Sequence, residues 1–176
     1  MMIKTFLFVS LFLLFGCTEK SIRTAGEPLQ TVPQVDLNRY LGKWYEIASR
    51  ANRFQKGCVA TTATYSLEVS GEIKVLNECR DKTLDGPMRN AEGKAWPIDT
   101  TNSKIKVQFF WPFKGNYWIL ELGDKYEYSV IGEPHGKYLW ILSRTPRMDP
   151  KVYQGIVQRL KAKGYFTDAL LMTLQP

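Results

Sequence analysis

The sequence has little of what most catalytic centres are built from. Its 176 residues include one histidine, His135, and three cysteines. These are too few for the His and Cys sets that hold zinc in proteins. A Gly-x-Ser-x-Gly nucleophile motif is also missing, and His135 lies in a Pro-His-Gly segment typical of a solvated turn. The carboxylates of Glu46 and Glu121 fall within predicted strands with no evident acid–base partner. We therefore predict no enzymatic activity, no metal and no cofactor.

The chain also lacks a dense basic run, although its net charge is +7 at pH 7. It contains no RNA-binding motif, so we predict no nucleic-acid partner. Removal of residues 1–16 would subtract only the charge of Lys4 and leave +6. This excess of positive charge is explained by general solubility or by attraction to an anionic surface.

No apolar run is long enough to span a bilayer comfortably, since the longest, residues 5–15, falls short of the usual length. It follows Lys4 and precedes Gly16-Cys17, as in a bacterial lipoprotein signal peptide. An ordinary signal peptide or an uncleaved anchor is the alternative. We expect residues 1–16 to be removed and Cys17 to carry lipid such as palmitate. Thr18 after it favours sorting to the outer membrane, where the protein would be anchored on the periplasmic side without spanning. Residues 17–35 are predicted to be a flexible tether before one domain at 36–176.

Residues 43–145 contain short β-type runs separated by turn residues at regular spacing. Strands are predicted at 44–49, 59–68, 72–79, 93–98, 104–111, 117–122, 126–132 and 138–144. Eight strands suit a small antiparallel up-and-down barrel that holds one ligand. Lys104, Lys106 and Gln108 share one face of their strand, which excludes a lipid-facing membrane barrel. Asp149-Pro150 then predicts the start of a helix that packs outside the barrel.

Two motifs stand at opposite ends of this β-region. Gly42-Lys43-Trp44 opens the first strand, and Arg144 closes the last. Together they resemble the signature of the lipocalin family, in which the arginine packs across the tryptophan and seals the barrel floor. The resemblance extends over residues 37–174 and is closest to bacterial lipocalins, although Gly123-Asp124-Lys125-Tyr126 departs from the family's middle motif. It implies an eight-stranded barrel with a hydrophobic cavity. Bacterial members are outer-membrane lipoproteins thought to bind fatty acids or lysophospholipids.

The inner faces of the predicted strands provide a candidate cavity lining. It comprises Ala63, Tyr65, Val75, Ile105, Val107, Phe109, Tyr138, Trp140 and Leu142. Each of these side chains could equally belong to a filled barrel core. The predicted function is therefore binding and transport or storage of a fatty acid or lysophospholipid. The alternative is a passive envelope lipoprotein without a ligand.

If Trp44 and Arg144 mark the floor, the loops at the opposite mouth are 50–57, 80–90, 112–116 and 132–137. They carry five of the six net positive charges expected after residues 1–16 are removed. We expect Arg50, Arg53, Arg80 and Arg89 to receive an anionic headgroup through charge-assisted hydrogen bonds. The alternative is that exposed loops are charged in most proteins.

Cys58 opens the predicted second strand near the mouth, and Cys79 closes the third there. We predict a disulfide between them, with some strand offset, in an oxidising compartment. Two separate buried thiols are the alternative. Exposed Phe110 and Trp118 could contact the helix or a second copy of the chain, so the oligomeric state stays open.

Overall fold

The protein is a closed antiparallel β-barrel with one helix outside it. The computed structural model describes residues 28–176, so the predicted signal peptide and Cys17 lie outside the described residues. The strands are β1 Gly42–Arg50, β2 Cys58–Leu67, β3 Ile73–Asp81, β4 Met88–Pro97, β5 Lys104–Phe110, β6 Phe113–Leu122, β7 Tyr128–Gly132, β8 Leu139–Ser143 and β9 Leu170–Met172. The helices are α1 Leu37–Tyr40 and α2 Pro150–Ala162, with short 3₁₀ turns at Arg53–Gln55 and Thr167–Ala169.

Strands β1 to β8 pair in chain order, and β1 closes the ring by pairing with both β8 and β2. The predicted eight-stranded barrel is confirmed. The β1–β2 pairing is short, from Gly42 opposite Tyr65 to Tyr45 opposite Thr62. Beyond it the two strands diverge, and β9 pairs instead with the mouth half of β1. Three residues are too few to show periodicity, so β9 was missed from sequence.

Several strands begin earlier than predicted. Strand β4 begins at Met88 instead of residue 93, and β6 begins at Phe113 instead of residue 117. The first residues of β4 are mostly polar, but they pair in register with β3, as in Arg89 opposite Cys79. Cross-strand pairing outweighs their weak strand propensity. The β3–β4 connection is therefore only 82–87, and Arg80 and Arg89 lie on strand ends instead of in a loop.

Helix α2 begins as predicted, because the Asp149 carboxylate accepts a hydrogen bond from the backbone N–H of Lys151 at 2.7 Å. Its buried residues, Ile156 and Leu160, pack in an apolar cluster with side chains on the outside of the barrel. Ile141 of β8 is one of the barrel side chains in this cluster. The cluster, which also includes Val130 of β7, anchors the helix to the outside of the barrel at β7 and β8.

The segment before the barrel is packed, contrary to the prediction of a flexible tether up to residue 35. Leu29 is buried in the outer cluster, and Val35 is buried completely in the barrel core. The backbone N–H of Val32 donates to the Ile119 carbonyl at 2.9 Å. Leu29, Val32 and Val35, each three residues from the next, thus hold this segment against the barrel. We call residues 29–35 the strap. Within residues 28–176, no helix is long and apolar enough to cross a membrane.

The predicted disulfide is present. Cys58 and Cys79 are bonded across β2 and β3 with their Cα atoms 5.5 Å apart. The register of β2 shifts between Val59 and Thr62, and Cys58 lies opposite Asp81, so the disulfide joins diagonal positions on the two strands. A cross-link that closes a loop of 21 residues contributes about 3 kcal/mol to stability on the chain-entropy estimate. It stiffens the mouth end of the barrel.

Candidate functional site

The closed end of the barrel is sealed by Trp44 and Arg144. The indole is completely buried, and the Arg144 guanidinium carbon lies 3.8 Å from the centroid of its ring system. Arg144 also donates to the carbonyls of Arg39 at 2.7 Å and Lys43 at 3.0 Å. Gly42 has a φ of +92° and lies against this guanidinium, so a side chain there would be strained. The Gly-x-Trp spacing and the distant arginine are thus parts of one floor.

A cluster of hydroxyl groups fills the lower half of the interior. The Tyr117 hydroxyl lies 2.8 Å from that of Tyr40 and accepts a hydrogen bond from Tyr65 at 2.9 Å. Tyr40 reaches Ser129 at 3.0 Å. Burial raises the pKa of Tyr40 to about 12 and also raises the pKa values of Tyr65 and Tyr117. The hydroxyls therefore stay neutral at physiological pH. The cavity left among these side chains is about 10 Å³, room for one water at most.

The upper half of the interior has a wall of small residues on β4. Ala91, Gly93 and Ala95 pair with Asn77, Val75 and Ile73 on the inner face. Ala95 is buried and lines the small cavity among the tyrosines, Gly93 is half-buried and Ala91 is exposed, so exposure increases along this wall toward the mouth. A side chain at Gly93 would collide with the Phe109 ring. The absence of a side chain at Gly93 thus makes room for the Phe109 ring inside the barrel.

The nine residues predicted to line the cavity differ in burial. Tyr65, Val75, Ile105 and Leu142 are buried in the barrel core, whereas Ala63, Val107, Phe109 and Trp140 pack against it while partly exposed. Tyr138 stacks on Trp140 at the mouth, with ring centroids 5.6 Å apart and planes 7° from parallel. Val107 lines the small cavity beside Tyr65, and Ala63 lies opposite Trp44, so these two partly exposed residues also belong to the floor.

The loop 51–57 leans over the mouth. The Phe54 ring centroid lies 6.3 Å from that of Tyr138. The Gln55 side-chain oxygen accepts from Trp140 Nε1 at 2.9 Å, and its amide nitrogen donates to Glu46. Gln55 therefore bridges β8 and β1 across the top of the barrel. Gln55 and Glu46 were not predicted as site residues, because a polar residue in a loop and one acid in a strand give no distinctive sequence signal.

A family model described as a lipocalin-like domain matches residues 35–175. The chain belongs to the lipocalin family. It is 36% identical over 172 residues to the outer membrane lipoprotein Blc of Vibrio cholerae, with 97% of each chain covered. It is 38% identical over 162 residues to temperature-induced lipocalin-1 of Arabidopsis thaliana, with 86% of each covered.

The solved structure of insecticyanin from the tobacco hornworm Manduca sexta matches with a TM-score of 0.66 and 20% identity over 84% of each chain. At that identity the likeness shows the fold alone. Lipocalins are generally non-enzymatic binding proteins. In the described part of this lipocalin, no three His, Cys, Asp or Glu side chains are grouped to hold a metal ion.

The four arginines predicted at the mouth of this lipocalin are not gathered at one point. Arg50 donates to the carbonyls of Gly136 and Phe166, and Arg80 donates to that of Gly86. Both therefore brace the backbone of neighbouring segments.

The other two arginines border the loop 51–57. Arg89 pairs with Asp81 at 3.1 Å and also donates to the Lys56 carbonyl. Arg53 is exposed, and its guanidinium lies 5.0 Å from the Phe54 ring centroid. Of the four, Arg53 is best placed to meet a ligand at the mouth.

The C-terminal segment of the lipocalin completes the wall where β1 and β2 diverge. The backbone N–H of Thr173 donates to the Ile47 carbonyl at 2.9 Å, and the Leu174 carbonyl accepts from Ala60 at 2.7 Å. The segment is thus bonded to β1 on one side and to β2 on the other. A cleft of about 570 Å³ lies between it and the loop 51–57. We call it the seam cleft.

Proposed function

We propose that this lipocalin binds and carries or stores an amphipathic lipid, a fatty acid or lysophospholipid, in the upper half of its barrel. The observation that supports the proposal is the change along the inner face of β4, from Ala95 buried beside the tyrosines to the more exposed Gly93 and Ala91. An acyl chain fits such a wall, because each buried methylene contributes about 0.8 kcal/mol. About ten methylenes would give about 8 kcal/mol, from which the entropic cost of binding must be subtracted.

The mouth supplies a place for the polar end of the lipid. Among the predicted arginines, Arg53 supports this role best because it is exposed beside Phe54. Arg89 borders the same loop, whereas Arg50 and Arg80 act on the headgroup only if their carbonyl partners release them. A carboxylate or phosphate at Arg53 would gain a charge-assisted hydrogen bond.

The proposed location is the periplasmic side of a bacterial outer membrane. The Vibrio cholerae relative is called an outer membrane lipoprotein, and Gly16-Cys17 follows the apolar run in this sequence. Lipid on Cys17 would anchor the domain without a membrane span. The tether would then extend from Cys17 to the strap of residues 29–35.

A filled barrel without a ligand is the second candidate. The lower cavity of about 10 Å³ favours it, since no acyl chain enters that space without rearrangement. The two candidates differ only in whether the upper half takes up lipid.

Titration of the domain without Cys17 is expected to separate the candidates. Oleate, oleoyl lysophosphatidylcholine and oleyl alcohol should each change the tryptophan fluorescence saturably at micromolar concentration, because Trp140 lines the upper half. In Trp140→Phe most of that change should disappear. Trp111→Phe is the control, since Trp111 is 86% exposed and its loss should leave the change intact. No saturable change with any of the three lipids would favour the filled barrel.

Charge reversal at Arg53 is expected to weaken oleate binding about threefold to fivefold, the scale of one exposed ion pair, and to leave oleyl alcohol binding unchanged. The physical reason is that only oleate presents an anionic group at the mouth. Lys151→Glu is the control, because Lys151 is an exposed cation on the outer helix. Equal losses for acid and alcohol in Arg53→Glu would contradict a headgroup role.

A further inference from the structure

The seam cleft is a second concave site, outside the tyrosine-floored interior. It lies where β1 and β2 have diverged and the C-terminal segment has taken the place of their pairing. Its volume of about 570 Å³ falls within the usual range for small-ligand pockets. The cleft is lined by an acidic residue, two basic residues and an apolar side formed by leucines.

The base of the seam cleft holds the carboxylate of Glu46, which is only 4% exposed. Its Oε1 atom accepts hydrogen bonds from Ser49 at 2.9 Å and Thr173 at 2.6 Å, and its Oε2 atom accepts from Gln55. These donors are all neutral, and among residues 28–176 no lysine or arginine lies within ion-pair distance of Glu46. A carboxylate has about four acceptor positions, so Oε2 keeps one of them open.

A buried anion without a cation is costly, and a cationic ligand would relieve that cost. The charged residues Arg53 and Lys56 also line the cleft, so an anionic group can sit near the positive charges while a cation sits at Glu46. Leu171 and Leu174 on the other side each expose more than half of their surface. The cleft thus offers an anion, two cations and an apolar flank.

We propose that the seam cleft binds the headgroup of a lysophospholipid with a primary ammonium, such as an ethanolamine headgroup. The ammonium donates to the open position on Glu46 Oε2, and the phosphate faces Arg53 and Lys56. A quaternary ammonium has no N–H to donate, and a fatty acid would bring a second carboxylate toward Glu46. This inference rests on the proposed function, since the acyl chain of the same lipid enters the barrel.

The test compares oleoyl lysophosphatidylethanolamine with its N-acetylated form, which keeps the phosphate and chain but removes the ammonium charge. We expect N-acetylation to weaken binding about tenfold in the unaltered protein, the scale of one charge-assisted hydrogen bond. In Glu46→Gln the difference should fall below about twofold, while oleate binds as well as before or better. Equal affinities for the two lipids in the unaltered protein, or a tenfold difference that persists in Glu46→Gln, would overturn the proposal.

Leu171→Trp provides a second route if Glu46→Gln does not fold. The larger side chain narrows the cleft and should weaken binding of the lysophospholipid while sparing oleate. Leu67→Trp is its control, because Leu67 is similarly exposed but lies at the far end of β2. An unchanged lysophospholipid affinity in Leu171→Trp would contradict the cleft as the headgroup site. If oleate binds but neither lysophospholipid does, only this proposal fails; if oleate also fails to bind, the proposed function fails with it.

Discussion

Replacing Arg144 with alanine is expected to lower the free energy of unfolding by about 3 kcal/mol. The change removes the guanidinium that lies 3.8 Å from the Trp44 ring centroid, a contact worth about 1 kcal/mol or more when partly desolvated. It also removes the hydrogen bonds to the Arg39 and Lys43 carbonyls. Bonds from a charged donor contribute about 1.5–3 kcal/mol each, and water entering the gap would replace part of them. Urea unfolding followed by tryptophan fluorescence measures the loss.

Two further variants show which property of Arg144 matters. Arg144→Lys keeps the charge, but an ammonium cannot cover the ring and reach both carbonyls at once. It should recover less than half of the lost stability. Arg147→Ala removes an exposed arginine three residues later and should change stability by less than about 0.5 kcal/mol. A stability for Arg144→Ala equal to that of Arg147→Ala would show that the floor does not depend on the arginine.

The parts of the fold that could be predicted have strong local signals. Alternation in 104–111 and regular turn spacing predicted the barrel, because a strand with one face in the core must place apolar side chains at every second position. The Asp149-Pro150 pair predicted where α2 begins, since a side-chain cap and a proline suit those two positions. Trp44 and Arg144 were paired through the family resemblance, because no local pattern joins residues a hundred positions apart.

The strap and β9 escaped prediction because tertiary contacts stabilise them. Leu29, Val32 and Val35 are ordinary residues among prolines and glycine, and only the surface that they meet makes the segment rigid. β9 is three residues long, and it can pair with β1 only because the pairing of β1 with β2 ends at Tyr45. Neither condition is visible in the segment itself.

The two candidate sites show the same limit. The inner face of β4 includes Ala91, Gly93 and Ala95, and small residues are conspicuous only when the register shows that they share one face. Glu46 was noted as an isolated acid within a strand. Its importance comes from burial and from three neutral donors on three different segments. Which small residues share an inner face, and whether Glu46 has a cationic partner, are known only once the strands are assembled into the barrel.

Replacing Ala91 with phenylalanine is expected to weaken binding of oleate and oleyl alcohol alike, by about fiftyfold. Ala91 lies on the inner face of β4 opposite Asn77 and is exposed, so lipid in the upper half of the barrel would contact it. A phenyl ring there would occupy the space of about three methylenes, each worth about 0.8 kcal/mol, and a loss of 2.4 kcal/mol corresponds to that change in affinity. The same fluorescence titration measures both lipids.

Asn90→Phe is the matched control, because Asn90 is the preceding residue and its side chain points to the outer face of the same strand. It should leave both affinities unchanged. The stability of Ala91→Phe should also change little, since Ala91 is exposed and not packed in the core. Equal losses for acid and alcohol in Ala91→Phe, beside the selective loss of the acid in Arg53→Glu, would place the chain inside the barrel and the charged group at its mouth. Unchanged binding in Ala91→Phe would instead mean that lipid does not enter the upper half, and the filled barrel would become the better description.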